Sequence, residues 1–344
     1  MAKNFIESAL VKEDVVFEVP IRPQCLDDFI GQDQVRDRLE VLIGAAKQRG
    51  ETLGHCLFSG PPGLGKTTLA NILAQAMGGN LVVSSGPVIE KAGDLAGILT
   101  SLKTGDVLFI DEIHRLNRSI EEYLYQAMED FSLDIIIDSG PSARSIQVKL
   151  NKFTLAGATT RLGLLSEPLR TRFAFTCRLD YYDPAILQKI IQRTGRLLNF
   201  QLDDKTAWEI GRRSRGTPRV ANHLLRWVRD FAQMRANNRI DQDVVDKALN
   251  MLAIDHIGLD EMDKKILLII IDHYSGGPVG VNAIAACLGE DASTIEEVYE
   301  PYLILQGLIR RTSRGREVTE LGYKHLGKQF PNKFENQRNI DKSE

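Results

Sequence analysis

Only four cysteines occur in the 344 residues, Cys25, Cys56, Cys177 and Cys287, and no two form a CxxC pair. Scattered thiols of this kind offer no zinc site and suit a reducing cytosol. Long apolar runs are missing as well. The longest, residues 266–271, falls far short of the roughly 20 residues that cross a bilayer, so no membrane partner is expected. The amino terminus lacks the basic segment and apolar stretch of a secretory leader. Excess charge is small too. At a net −3 the chain as a whole announces no nucleic-acid partner, and any DNA contact is expected from a local basic patch. No internal repeat or low-complexity tract is present. A cytoplasmic protein is the expectation.

What is present fits two or three domains. Hydrophobic residues make up 43% and charged residues 26%, an ordinary globular balance. Residues 1–19 are polar and mixed and read as a loosely attached arm. Over 20–180, short apolar runs (57–58, 81–83, 107–110 and 153–158) alternate with helical patterns. That is the sequence form of a parallel α/β sheet with flanking helices. Residues 181–255 lose the strands and read as four helices (184–199, 204–213, 218–236 and 241–251), a small all-α domain. Residues 256–332 carry three helical patterns, 261–274, 282–288 and 293–306, and then a strand-like tail with glycine turns. The end, 333–344, is polar and reads as frayed.

Residues 60–67 (GPPGLGKT) match G-x-x-x-x-G-K-[ST], follow an apolar strand and open into a helical run at 68–77. That context marks a P-loop. Glycines let the backbone wrap phosphates, with amide hydrogens and a helix N-terminus facing the negative charge. Lys66 is placed to hold the β- and γ-phosphates of ATP, and the Thr67 hydroxyl to ligate Mg²⁺. Residues 107–112 (VLFIDE) form a buried-strand pattern ending in two carboxylates. Asp111 suits the Mg²⁺ shell, and Glu112 suits orienting or deprotonating an attacking water. A solvated acidic pair is the plainer reading of those two, and the upstream P-loop argues against it.

A third strand pattern, 153–161 (FTLAGATTR), ends in Thr160. That hydroxyl is a candidate for the γ-phosphate or the lytic water, although strands also simply end in threonine. Downstream stands Arg172, which spacing alone leaves open between a surface ion pair and a catalytic cation. Arg219 follows Thr217-Pro218, an N-cap and first-turn pair. A cation in a first helical turn opposes the helix dipole, which points to an anionic partner.

Together these pieces resemble the AAA+ ATPases, and more closely the RuvB family of bacterial Holliday-junction branch-migration motors. The likeness is carried by residues 22–32 (RPQCLDDFIGQ), 60–71, 85–95 (SGPVIEKAGDL), 108–116 (LFIDEIHRL), 215–219 (RGTPR) and 274–280 (YSGGPVG), and it spans about residues 14–327. It implies an α/β P-loop AAA+ domain, an all-α lid and a winged-helix domain, working as an ATP hydrolase that translocates duplex DNA. It further implies that Ile21 and Arg22 sit at the adenine and ribose side, with Gly63, Lys66, Thr67 and Thr68 around the phosphates. Tyr182 would face the nucleotide, Thr160 would be sensor 1 and Arg219 sensor 2. Arg172 would be a finger reaching a neighbour's γ-phosphate, with Glu129, Asp130 and Phe131 near the subunit interface. The implied assembly is a homo-hexamer on duplex DNA at Holliday junctions, with a junction resolvase as a further partner. One departure is Ala174, where the family usually has glycine after the finger arginine and phenylalanine. Alanine is small, and little change is expected.

Residues 134–144 (DIIIDSGPSAR) followed by an alternating 145–150 read as a hairpin. Either it is another strand of the sheet or it is an exposed docking element. The resemblance implies docking of the junction-recognition partner RuvA through 134–148. Three helices and a turn-containing strand pair at the end suit a winged helix. Arginines crowd its glycine-containing tip, where they can pair with phosphates, although a solvated basic hairpin is the plainer alternative. By resemblance, Arg311 and Arg316 are the expected DNA contacts. Two rival functions remain at this level, a clamp-loader-type ATPase and an ATP-switched regulator that reads specific bases.

Overall fold

The computed structural model describes residues 15–136 and 145–331, together with Ile6. The expected tail at 333–344, the Gly140-Pro141 turn and most of the expected arm therefore lie outside the described residues. The arm's described end is helical, forming α1 (Val15–Ile21). The chain divides into two compact units after Arg226.

The first unit is built on five parallel strands in the order β2-β3-β6-β1-β7. They are β1 (Cys56–Ser59), β2 (Leu81–Ser85), β3 (Val107–Asp111), β6 (Thr154–Thr159) and β7 (Phe175–Arg178). Parallel strands need crossovers, and these include α3 (Lys66–Met77), α4 (Ala92–Ser101), α5 (Arg118–Glu129) and the short α6 (Glu167–Thr171). The helix α2 (Asp33–Arg49) precedes the sheet. Strand β6 is buried along its whole length, and β3 to its last residue, as expected for strands covered on both faces. Leu108, Ile110, Leu155 and Leu57 join Leu124, Leu169 and Phe173 in one apolar core.

The order places β3, β6 and β1 side by side, so their carboxyl ends form one continuous edge. Loops leaving adjacent carboxyl ends are where α/β sheets hold ligands. The expected 134–148 hairpin is not part of this sheet. Strands β4 (Ser132–Ile136) and β5 (Ser145–Lys149) pair antiparallel as a two-stranded sheet of their own. Beyond the sheet, α7 (Pro184–Leu197) and α8 (Asp204–Arg212) pack as a helical pair. Asp203 caps α8 by accepting from the Thr206 amide at 2.7 Å.

The division after Arg226 falls within α9 (Pro218–Arg235). In the second unit, Trp227 Nε1 donates to the Ala248 carbonyl on α10 (Gln242–Met251) at 2.8 Å. A winged-helix arrangement follows, with α11 (Glu261–Tyr274) and α12 (Val281–Leu288). The continuous helix expected at 293–306 is instead broken into α13 (Ala292–Thr294), a π-helical turn (Ile295–Tyr299) and α14 (Glu300–Leu305). Pro301 has no N–H to return to the preceding turn, and the wider turn absorbs the fault. The wing itself is β8 (Ile309–Thr312) against β9 (Gly315–Val318), with Val279 bridging to Arg316. Gly315 has φ 140, and a Cβ there would collide with the Val279 carbonyl. Only glycine lets the bridge and the wing turn approach so closely. The last helix, α15, is Glu320–His325. Among the described residues no helix is long and apolar enough to cross a membrane.

Candidate functional site

The loop from Gly60 to Gly65 leaves β1 at the edge where β3 and β6 also end. The Gly60 amide donates to the Thr159 carbonyl at 3.1 Å, tying the loop to β6. Gly60 has φ 134, and a Cβ would run into the Leu179 carbonyl oxygen, so any larger residue would push the loop off the sheet. Gly65, at φ 104, turns the chain into α3, and no side chain caps that helix. Among the described residues, the first-turn amides of Lys66, Thr67 and Thr68 therefore lack a side-chain acceptor, which suits an anion at this end.

Lys66 is buried, and its ammonium donates to the carbonyls of Gly60 and Pro61, both at 2.8 Å. Burial pulls its pKa down to about 8, against the opposing pull of Asp111 and Glu112, while Arg219 lowers it further. Two cations and two carboxylates thus act on one another at one point. The Arg219 amide also donates to the Gly63 carbonyl at 3.3 Å, so the start of α9 is fastened to the P-loop. Mutually repelling cations over an uncapped helix fit a polyphosphate, which would relieve both. The residues present therefore fit the nucleotide that the P-loop pattern implies.

Glu112 holds a left-handed conformation, φ 47, a costly choice for a residue with a Cβ. The kink turns its side chain across to the end of β6. There Thr160 Oγ1 donates to Glu112 Oε2 at 3.0 Å, and His114 Nδ1 stands 3.2 Å from the same oxygen. His114 Nδ1 also bonds Thr159 Oγ1 at 2.9 Å. The strand thus sends Thr159 to His114 and Thr160 to Glu112. His114 stands within the stretch 108–116, but no spacing rule singles it out.

Tyr182 donates its hydroxyl to the Leu64 carbonyl at 3.2 Å, and its amide bonds the Gly216 carbonyl at 2.8 Å. It therefore touches the P-loop and the stretch leading to Arg219 at once. Ile21 is buried, and its carbonyl accepts from Arg193 Nη1 at 2.8 Å. Glu18, in the segment read as an arm, lies 3.2 Å from Arg219, 3.5 Å from His223 and 3.8 Å from Arg22. Burial would raise its pKa, yet the His223 hydrogen bond and the facing arginines hold it below the usual carboxylate range.

A second group gathers Glu129, the last residue of α5, with Asp130 and Phe131 directly after it and Arg172 at the end of α6. Arg172 Nη2 donates to Glu129 Oε2 at 3.0 Å. Ala174 meets a glycine here: a Cβ built on Gly54 would stand 2.9 Å from that of Ala174, so the methyl group uses room that Gly54 leaves.

In the wing, Arg311 and Arg316 converge on one carboxylate. Glu300 is 2% exposed and accepts from Arg311 Nε at 2.8 Å and Nη2 at 2.9 Å, and from Arg316 Nη2 at 2.9 Å. Arg316 also reaches Glu296 at 2.8 Å. Burial alone would raise the Glu300 pKa, but the two arginines hold it low. Arg311 keeps 55% of its side chain exposed and Arg316 12%. Ile146 on β5 is 51% exposed.

Three family models match in sequence: the Holliday junction DNA helicase RuvB P-loop domain over residues 21–179, the RuvB AAA lid domain over 182–255 and the RuvB C-terminal winged helix domain over 256–327. A Holliday junction branch migration complex subunit RuvB from Protochlamydia amoebophila is 78% identical over 95% of this chain and 98% of its own length. The corresponding protein of Chlamydia felis is 58% identical over 92% and 94%. Among solved structures, the Thermotoga maritima RuvB Holliday junction branch migration motor superposes with a TM-score of 0.84 at 52% identity, covering 91% of this chain and 100% of that one. With all three domains matched in order and identity this high, the chain belongs to the RuvB family.

Proposed function

We propose that the chain is an ATP-driven motor that translocates duplex DNA and so moves the branch point of Holliday junctions. The observation that carries the reading is the meeting of Lys66, Asp111, Glu112 and Thr160 at three adjacent strand ends beside Arg219. In this reading Lys66, Arg219 and the amides around Gly63, Thr67 and Thr68 bind the phosphates, and Ile21, Arg22 and Tyr182 line the base and ribose side. Thr67 and Asp111 would hold Mg²⁺, which when bound supplies charge neutralisation of the phosphates. Glu112, held by Thr160, orients the attacking water and accepts its proton. Arg172, with Glu129, Asp130 and Phe131, serves the nucleotide of an adjacent copy, which requires a head-to-tail assembly, and we propose that it closes as a homo-hexameric ring. The ATPase domain is taken as 20–180, the lid as 181–255 and the DNA-binding domain as 256–332.

The two-stranded β4–β5 sheet, separate from the main sheet and with Ile146 exposed, supports docking of a RuvA-like partner through 134–148. A junction resolvase is a further proposed partner, and a DNA substrate supports a cytoplasmic location. The test is the conversion of a synthetic four-way junction to duplex products. ATP and the RuvA-like partner together should drive it, and a non-hydrolysable analogue should not. Conversion that is equally fast with the analogue would refute a motor.

The lowered pKa of Lys66 gives the site a pH dependence with a definite sign. Phosphates favour the charged ammonium, and above about pH 8 the free protein holds less of it. Binding then takes up a proton, so affinity falls as pH rises, by at most about tenfold per unit. Titration calorimetry with ADP should give a flat dissociation constant below pH 7.5 and a weakening one between 8 and 9. Lys66→Arg, charged throughout, should stay flat. A flat wild-type profile to pH 9 would contradict the assignment.

In the wing, Arg311→Ala should weaken duplex binding equally for unrelated sequences and flatten the slope of log affinity against log salt by about one unit. Arg316→Ala should do the same and also loosen the wing, because Glu300 loses a buried partner. A salt titration on two unrelated duplexes checks this. A loss confined to one sequence would favour a base-reading regulator.

A further inference from the structure

Helix α5 carries Glu121, Tyr125 and Glu129 at successive four-residue intervals, so the three share one face. All three engage the segment that bears Arg172. Ser166, the N-cap of α6, donates to Glu121 Oε2 at 2.5 Å and bonds the Tyr125 hydroxyl at 2.9 Å. That hydroxyl in turn donates to Glu121 Oε2 at 2.7 Å. With its oxygen fixed there, the Tyr125 ring lies against the Arg172 guanidinium, whose central carbon stands 4.5 Å from the ring centroid. At the guanidinium edge, Nη1 donates to the Pro168 carbonyl at 2.8 Å and Nη2 to Glu129 at 3.0 Å. Among the described residues, the buried Nε has no hydrogen-bond partner.

These contacts differ in what they leave available. A carboxylate takes N–H donors on the edge of the plane and competes with a phosphate for them. A ring touches only the face, and every edge donor stays open to an anion. Glu129 therefore competes with a phosphate for Nη2, whereas Tyr125 does not compete. The unsatisfied Nε makes the resting pairing incomplete, which lowers the cost of exchanging it.

We propose that Tyr125 is the positioning residue for Arg172. Its ring holds the guanidinium by the face, and Glu121 and Ser166 lock that ring to the helix that carries the arginine. Arg172 then meets the γ-phosphate at an adjacent copy already ordered. The proposal rests on the reading that Arg172 acts on a neighbouring copy's nucleotide.

Tyr125→Leu in the full-length protein should lower kcat for ATP by about 3- to 30-fold, the span of a cation–π contact. KM should change less than about twofold, because the variant's own phosphate residues are intact. Tyr125→Phe keeps the ring and the shape. Placing phenylalanines with one, two and three ring fluorines at 125 then weakens the ring's negative face without altering packing, and kcat should fall stepwise. An even kcat along that series, or a raised KM with unchanged kcat in Tyr125→Leu, overturns the proposal. Mixed assemblies separate it from the reading beneath it. Lys66→Ala chains should rescue Tyr125→Leu chains, and Arg172→Ala chains should not. If Lys66→Ala rescues Arg172→Ala but not Tyr125→Leu, the Tyr125 proposal falls alone. If it rescues neither in proven co-assemblies, the reading of Arg172 falls and takes the proposal with it.

Discussion

Glu112→Gln should bind ATP within a few-fold of the wild type and hydrolyse it about 10²- to 10⁴-fold more slowly, the range a general base contributes. The amide keeps the volume of the carboxylate and can still accept from Thr160, which now donates to Glu112 Oε2 at 3.0 Å. It cannot take a proton from water. Binding should survive because, in the proposed site, the phosphates meet Lys66, Arg219 and the uncapped start of α3, none of which depends on that proton. Single-turnover hydrolysis measured beside equilibrium binding separates the two. Turnover at the wild-type rate would remove Glu112 from the chemistry. A collapse of binding would make it a structural member of the loop.

Arg172→Ala should lose about 10³- to 10⁵-fold in turnover if the guanidinium acts as an arginine finger. The loss should be repairable from outside. A chain with Arg172→Ala keeps its own Lys66, and a chain with Lys66→Ala keeps its Arg172. In an equal mixture, roughly a quarter of the interfaces join an intact Lys66 to an intact Arg172, so about that share of activity should return if a finger works across interfaces. The measurement is steady-state ATPase across mixing ratios, with co-assembly checked by size. A flat zero in confirmed mixed assemblies would mean that Arg172 acts within its own chain or outside the chemistry.

The two carboxylates and the P-loop were legible because the signals are local. A glycine-lysine loop after one apolar strand and an acidic pair ending another can each be read within about ten residues. Thr160 was legible for the same reason, as the end of a third strand. Strand β7 was not. Its four residues include Thr176 and the exposed Arg178, and it stands at the end of the sheet with β1 as its pairing neighbour. A short edge strand of mixed polarity leaves no apolar run. His114, Glu18 and Tyr125 escaped notice for a different reason. Their partners are distant in the chain, as with Thr159 for His114 and Arg219 for Glu18. The π-turn at 295–299 could have been suspected from Pro301, which the helical periodicity around it concealed.

If the wing arginines meet DNA phosphates as proposed, the carboxylate beneath them limits how firmly the wing can cling. Arg310, Arg311 and Arg316 are engaged by Glu317, Glu300 and Glu296, and with Arg314 beside them the local excess is a single positive charge. A phosphate must therefore outbid a carboxylate already in place, and when it leaves the carboxylate is there to take the arginine back. Detachment is thus built into the same atoms as attachment. In the proposed movement along DNA, footholds that hold too well would stall each step, and this arrangement would let the wing go.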